Sequence, residues 1–183
     1  MSAASLGEIS EFITKGATPT TYGFSWEMSG VPFLRSECVA ELGLDMRQSM
    51  FISPQADQAL RRSRVQDGDI LMTITGNVGR VIRLAGVGSA NINQHIARIR
   101  VVDHHFDSDF VYHYLSQPSM REHYETIVTG QAYPQISLTQ VRETAIPMVP
   151  LGEQRRVALA LDDADHQIAS LEFLIGKKKA IKQ

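Results

Sequence analysis

The sequence predicts an α/β (α+β) fold in which a globular body with a bent, mostly antiparallel sheet and short helices is followed by one long C-terminal helix. Three observations predict it. Between Ile70 and Val102, alternating apolar runs follow one another across short glycine-rich turns, which is how consecutive antiparallel strands are written. From Asp109 to Gln117 the apolar residues Phe110, Val111, Tyr114 and Leu115 take helical spacing, as in a short amphipathic helix. From Val157 onward the spacing alternates four and three through Val157, Leu161, Ala164, Ile168, Leu171 and Ile175, then Lys178 and Lys182. That 3.5-residue period is a coiled-coil seam, which stays dry only under a second helix. No other segment keeps this register over a comparable length, so the covering helix is expected from another molecule.

In chain order, Leu6 to Thr14 is a short strand or helix, and Lys15-Gly-Ala-Thr-Pro-Thr-Thr-Tyr-Gly23 is a loop. Val31 to Arg35 is a strand whose proline marks an edge or a strand start. Asp67-Gly-Asp69 turns the chain into Ile70–Thr75, and Gly76-Asn-Val-Gly79 makes a hairpin connection into Arg80–Ala85. A second turn at Gly86–Asn91 leads to Gln94–Val102, where Ala97, Ile99 and Val101 share one face and Arg98 and Arg100 the other. Asp107 or Ser108 caps the next helix, Pro118 ends it, and Ser119 to Glu125 forms another. Gly130–Gln135 is loop, Ile136–Val141 reads equally as helix or strand, and the prolines of Ala145–Pro150 make an extended linker. The long helix starts after Pro150, with Glu153 in its first turn and Lys177 to Lys179 near its end, both favourable to the helix dipole. Residues 1–150 therefore form one domain and 151–183 an appended helix of about 50 Å at roughly 1.5 Å per residue.

The 183 residues are 43% apolar, enough for one core. Net charge is −2, with 12 Lys and Arg against 15 Asp and Glu in residues 1–150. That is not the profile of a generic charge-driven nucleic-acid binder, so any such affinity is local or borrowed from a partner. The single cysteine, Cys38, excludes an internal disulfide and a cysteine-rich zinc module and suits a reducing cytoplasm. The start lacks a basic segment followed by an apolar one, and no apolar run is long enough to span a bilayer, so a soluble cytoplasmic protein is expected.

Catalytic motifs are missing from the sequence. It contains no phosphate-binding Gly-x-x-x-x-Gly-Lys-Ser/Thr loop, no Gly-x-Gly-x-x-Gly and no Gly-x-Ser-x-Gly elbow. His104 and His105 lie among Asp103, Asp107 and Asp109, but neighbours on an extended loop point apart and no tetrahedral ligand set is spelled out. Surface histidines are expected there, no metal site, and Cys38 is expected to be a small buried hydrophobe.

The order of the loops carries more information than any single motif. Leu6-Gly-Glu-Ile9, Lys15-Gly-Ala-Thr-Pro19, Val31-Pro-Phe-Leu-Arg35, Gly68-Asp-Ile-Leu71 with Gly76-Asn-Val-Gly79, Asn93-Gln94, Gly130-Gln-Ala-Tyr-Pro-Gln-Ile136 and Ile146-Pro-Met-Val-Pro-Leu-Gly-Glu-Gln154 together resemble the specificity (S) subunit of type I restriction-modification systems. The resemblance implies a target recognition domain followed by one spacer helix. An S subunit of that family carries two such units and reads a split DNA target, so this chain corresponds to a half-length form that dimerises. Implied partners are double-stranded DNA, methyltransferase (M) subunits and, where one exists, a restriction (R) subunit. No cofactor is implied for the chain itself, because S-adenosylmethionine is bound by the methyltransferase that modifies adenine N6. The alternative is a coiled-coil interaction or scaffold module that reads no DNA.

Base edges are read by amides, guanidiniums and hydroxyls held on loops, while phosphates fix position. The candidate DNA-binding residues are Lys15, Thr18, Thr20, Thr21 and Tyr22 of the first loop; Arg47; the basic cluster Arg61, Arg62 and Arg64; Thr75 and Asn77 at one hairpin tip; and Asn91 beside another. Asn93-Gln94 and Gln131, Tyr133 and Gln135 read either as base contacts or as structural glue. Since the latter motifs are shared across the resembled family, Tyr22–Met28 and Arg47–Arg64 are the better stretches for base readers. Val157, Leu161, Ala164, Ile168, Leu171 and Ile175 are the candidate dimer residues.

Overall fold

The structure, a computed structural model, describes residues 2–41, 43–130 and 132–181. Its strands are β1 (Ala3–Ser5), β2 (Thr14–Lys15), β3 (Val31–Leu34), β4 (Val39–Ala40), β5 (Gly43–Leu44), β6 (Met50–Ile52), β7 (Arg64–Gln66), β8 (Ile70–Thr73), β9 (Val81–Arg83), β10 (Ser89–Ile92), β11 (Ile96–Ile99) and β12 (Ala145–Pro147). The helices are α1 (Leu6–Ile9), α2 (Pro54–Ala59), α3 (Ser108–Leu115), α4 (Pro118–Thr126), α5 (Leu138–Arg142) and α6 (Leu151–Ile181). The fold is mixed α/β with largely antiparallel sheets, short helices and the expected long C-terminal helix.

Two four-stranded sheets, ordered β2-β11-β8-β9 and β6-β3-β10-β7, replace the single bent sheet expected from the sequence. The hairpin β8–β9 forms across Gly76–Gly79 as expected, and β11 pairs antiparallel with β8. The Gly86–Asn91 stretch is not simply a turn: its second half is β10, which leaves the first sheet to run parallel to β3 and antiparallel to β7. Burial explains the departure. Ala90 and Ile92 are fully buried among Leu34, Val39, Val65 and Leu71, in the core cluster that the two sheets share. Pro32 is not on an edge strand, since β3 is interior; it sits near the strand start, before the β10 ladder begins at Phe33, where its missing N–H costs no ladder bond on that side.

Caps define the short helices. Ser5 forms a capping box with Glu8, Asp107 accepts from the N–H groups of Asp109 and Phe110 at the start of α3, and Ser137 caps α5, resolving the ambiguous Ile136–Val141 stretch as helix. Pro118 is the first residue of α4, where its missing N–H is harmless. The extended linker before α6 is a strand, β12, paired with β1 near the N-terminus. The start of α6 is thereby fixed to the body.

Candidate nucleic-acid interface

The Lys15–Tyr22 loop is set by backbone contact. Gly16 donates its N–H to the Asn93 carbonyl at 3.1 Å, and a Cβ there would stand 1.7 Å from the Ile92 oxygen, so only glycine allows this approach. Thr18 donates its hydroxyl to Gln94 Oε1 at 2.7 Å, and the Gln94 amide lies 3.0 Å from His95 Nε2. The His95 ring meets Tyr133 edge-on at 6.1 Å. Gly76 donates to the Pro134 carbonyl, which brings the Asn77 tip beside Tyr133. On the other flank the Arg61–Ser63 turn rests against β2 and β10. A continuous ribbon results: Arg61 and Arg62, Lys15, Thr18 with Gln94, His95, Tyr133, and Asn77. Lys15, Thr20, Thr21, Tyr22, Arg61, Arg62, Asn77 and Tyr133 are exposed along it. Sequence reasoning leans structural for Tyr133, leaves Gln94 open and offers no role of its own for His95; the contact of Gly130–Ile136 with the β8–β9 hairpin puts Tyr133 on this surface beside His95.

Several sequence candidates do not face solvent. Asn91 is completely buried, and its amide is fully engaged: Nδ2 donates to Asp57 Oδ1 and the Leu60 carbonyl, each at 3.2 Å, while Oδ1 accepts from Ser63 Oγ at 2.7 Å and Ile92 N at 3.0 Å. It is no base reader; it holds the turn that presents Arg61 and Arg62. Thr75 is buried in a bridge to Gln135. Arg64, which the sequence groups with the basic cluster, is half-buried on β7 and paired with the buried Asp57 carboxylate. Arg47 is exposed, but Asp45 grips its guanidinium with contacts of 2.8 and 2.9 Å. Asn93 is also structural, accepting from His95 N through its side chain at 3.1 Å. Gln131 and Lys182 lie outside the described residues. In the favoured Tyr22–Met28 stretch, Trp26 packs edge-on against Phe33 at 5.2 Å, leaving Tyr22 and Met28 outward.

The Asp103–His105 loop corrects a geometric expectation. Asp103 Oδ1 accepts from the His105 N–H at 2.9 Å and lies 2.8 Å from its ring Nδ1, so the chain turns and the three side chains converge within 4.8 Å of one another instead of pointing apart. Hydrogen bonds from the His105 backbone and ring hold the Asp103 carboxyl below its ordinary range. Behind this loop, Gln154 is 1% exposed: its Nε2 donates to the carbonyls of His105 and Val149, and its Oε1 accepts from Asp107 N at 2.8 Å. The final Gln of the Pro-Leu-Gly-Glu-Gln run thus docks the first turns of α6 to the body.

Comparison with known proteins follows the same architecture. The family described as "Type I restriction modification DNA specificity domain" matches residues 2–183. The chain belongs to that family. The Type I restriction enzyme EcoBI specificity subunit of Escherichia coli is 24% identical over 151 residues, covering 82% of this chain and 32% of that protein. The Putative type I restriction enzyme MjaX specificity subunit of Methanocaldococcus jannaschii is 28% identical over 161 residues, covering 85% and 34%. In structure, the HsdS subunit from Thermoanaerobacter tengcongensis superposes with a TM-score of 0.66 at 21% identity, over 94% of this chain and 39% of that one. The chain spans about a third of the length of these curated relatives.

A second free surface of this specificity domain is the seam of α6. Among the described residues of α6, Gln154 and Ala158 are buried and Leu151 and Asp162 half-buried against the body, beside α3 and Arg83 of β9, and Arg155 pairs with Asp107 at 3.6 Å. Val157, Leu161, Ile168, Leu171 and Ile175 are between 40% and 59% exposed, and Ala164 is also exposed. The stripe that repeats in the sequence is therefore not the stripe that packs on its own domain. No helix among the described residues is long and apolar enough to cross a membrane.

Proposed function

We propose that this chain is the DNA-reading subunit of a type I restriction-modification complex, acting in the cytoplasm as a homodimer of half subunits. Residues 1–150 form the target recognition domain, and residues 151–183 the spacer and dimerisation helix. The chain directs an adenine-N6 methyltransferase, and a nuclease where one is present, to a bipartite site. It performs no chemistry itself; S-adenosylmethionine belongs to the methyltransferase. The observation that carries the reading is the contiguous ribbon of basic, hydroxyl and amide side chains on a body whose net charge is otherwise negative. Lys15, Arg61 and Arg62 supply local phosphate contacts there, and Thr20, Thr21, Tyr22, Asn77 and Tyr133 stand where base edges can be met. Two copies joined antiparallel through the open seam would present identical ribbons to the two ends of an inverted repeat. With so little positive charge, the isolated chain binds DNA weakly and salt-sensitively, and tight binding needs the methyltransferase.

Sequencing of N6-methyladenine in cells co-expressing this chain with its methyltransferase is the direct test. A bipartite palindrome is expected; methylation indifferent to the chain overturns the reading. The scaffold alternative draws on the same open seam and acidic balance. It gains if Arg61→Ala with Arg62→Ala leaves the methylation pattern intact. Arg64 stays out of that variant, because its loss strands the buried Asp57 charge.

A further inference from the structure

The hold of the body on α6 is narrow. Grooves of about 370 Å³ flank the helix on both sides, one lined by Glu41, Ile82, Tyr112, His166 and Ile168, the other by Phe110, Tyr114, Gln117, Val157 and Leu161. Between them the helix is most buried against the body along one line, Gln154, Ala158 and Asp162, at successive turns, with Arg155 pairing with Asp107 beside its start. Asp162 is the last anchor, and beyond it every described side chain as far as Ala180 is exposed. Its carboxylate is gripped from two elements. His113 of α3 places Nε2 2.9 Å from Asp162 Oδ1, and Arg83 of β9 reaches the same oxygen at 3.3 Å while pairing with Asp109 at the start of α3. Arg83 also lies over the Tyr112 ring at 5.5 Å. Both partners are largely shielded from water, with His113 9% exposed.

From this geometry we infer that Arg83, His113 and Asp162 form a latch that fixes the angle between the reading face and α6, and are positioning residues for the spacing of the two half-sites. The inference rests on the proposed DNA reading for its functional meaning, but its mechanical part stands alone. At about 1.5 Å per residue, the 19 residues from Asp162 to Ile181 form a lever of about 28 Å. A tilt of about 10° moves the end of that lever by about 5 Å, more than the roughly 3.4 Å rise of one base pair. Helix length alone therefore does not set the gap. Without the Asp162 anchor, the helix can pivot about Ala158 into either groove.

The test has two readouts. Spin labels on Gln66→Cys and Ala180→Cys, in a labelled chain diluted with unlabelled protein, report the body-to-helix distance by electron–electron resonance; Cys38 is buried and stays unlabelled. A single narrow distribution is expected for the parent. Asp162→Ala should broaden it or shift it by about 5 Å, and Asp162→Asn, which keeps a hydrogen-bonding group, should restore part of the order. Gln154 and Ala158 remain in place in both variants. In cells, Asp162→Ala with the methyltransferase should methylate sites whose spacer is one base pair longer or shorter to within about threefold of the parent spacer, against a discrimination of about tenfold or more in the parent. An unchanged distance distribution overturns the latch. A broadened distribution with unchanged spacer choice overturns its role in spacing. If the parent directs no methylation at all, the DNA reading fails while the distance measurement still decides the latch.

Discussion

Two stripes of one helix meet different fates. Gln154, Ala158 and Asp162 are covered by their own domain, whereas Val157, Leu161, Ala164, Ile168, Leu171 and Ile175 are left to water. The covered stripe is polar at two of its three positions, and specific hydrogen bonds hold it; the open stripe is apolar and repeats at the coiled-coil period. The difference teaches that the chain uses directional contacts to aim the helix and leaves its greasiest helical face uncovered by its own domain, although apolar area gains most when it is removed from water altogether.

The sharpest way to break this comparison is to charge the open stripe. Ile168→Glu with Leu171→Glu should weaken self-association at least about 100-fold, because each buried aliphatic side chain contributes about 1.5–3 kcal/mol. Sedimentation should then show monomers with an unchanged near-ultraviolet spectrum; a surviving dimer means that the seam is not the interface. Inside the body, Asn91→Ala should cost about 2–3 kcal/mol in urea unfolding, because it removes the donor that faces the buried Asp57 Oδ1 and empties a fully buried polar site. A loss of less than about 0.5 kcal/mol would return Asn91 to the surface candidates. On the ribbon, Arg61→Ala with Arg62→Ala should leave stability within about 0.5 kcal/mol while lowering the salt slope of DNA binding in the methyltransferase complex by up to about 2. An unchanged slope removes the pair from the phosphate contacts.

The smallest effect concerns Cys38. Burial pushes its thiol up from the ordinary range, and the Arg35 N–H, 3.3 Å from its sulfur, offsets only part of this. The folded protein thus keeps the proton longer than the unfolded chain, and this contribution to stability is present at neutral pH and lost as pH rises above the usual thiol range. Iodoacetamide should label Cys38 more than about tenfold more slowly in native protein than in urea at pH 8. Equal rates would mean that the body is as open as the helix.

Elements written by local chemistry were legible. Asp107 as a cap, Pro118 as the break between two helices, Gly76–Gly79 as a hairpin connection and the seam of α6 all depend on neighbours within a few residues. The binding candidates were legible as residue types but not as positions. Asn91, Thr75 and Arg64 carry groups that hydrogen-bond DNA and protein equally well, and in the sequence nothing distinguishes the two uses. Arg61 and Arg62 are exposed on the turn, whereas Arg64, the next strand's first residue, is half-buried and paired with Asp57.

What the sequence determined by itself was the long helix, its uncovered stripe and the loop order that marks the family, because periodicity and turn chemistry act over short distances along the chain. The tertiary structure alone decided that β10 crosses to a second sheet, that Asn91 supports the arginine turn instead of reading bases, and that Asp162 is clasped by Arg83 and His113 from 79 and 49 residues away. These are outcomes of burial. A polar side chain removed from water must find its partners wherever packing has placed them, and sequence distance carries no record of that place.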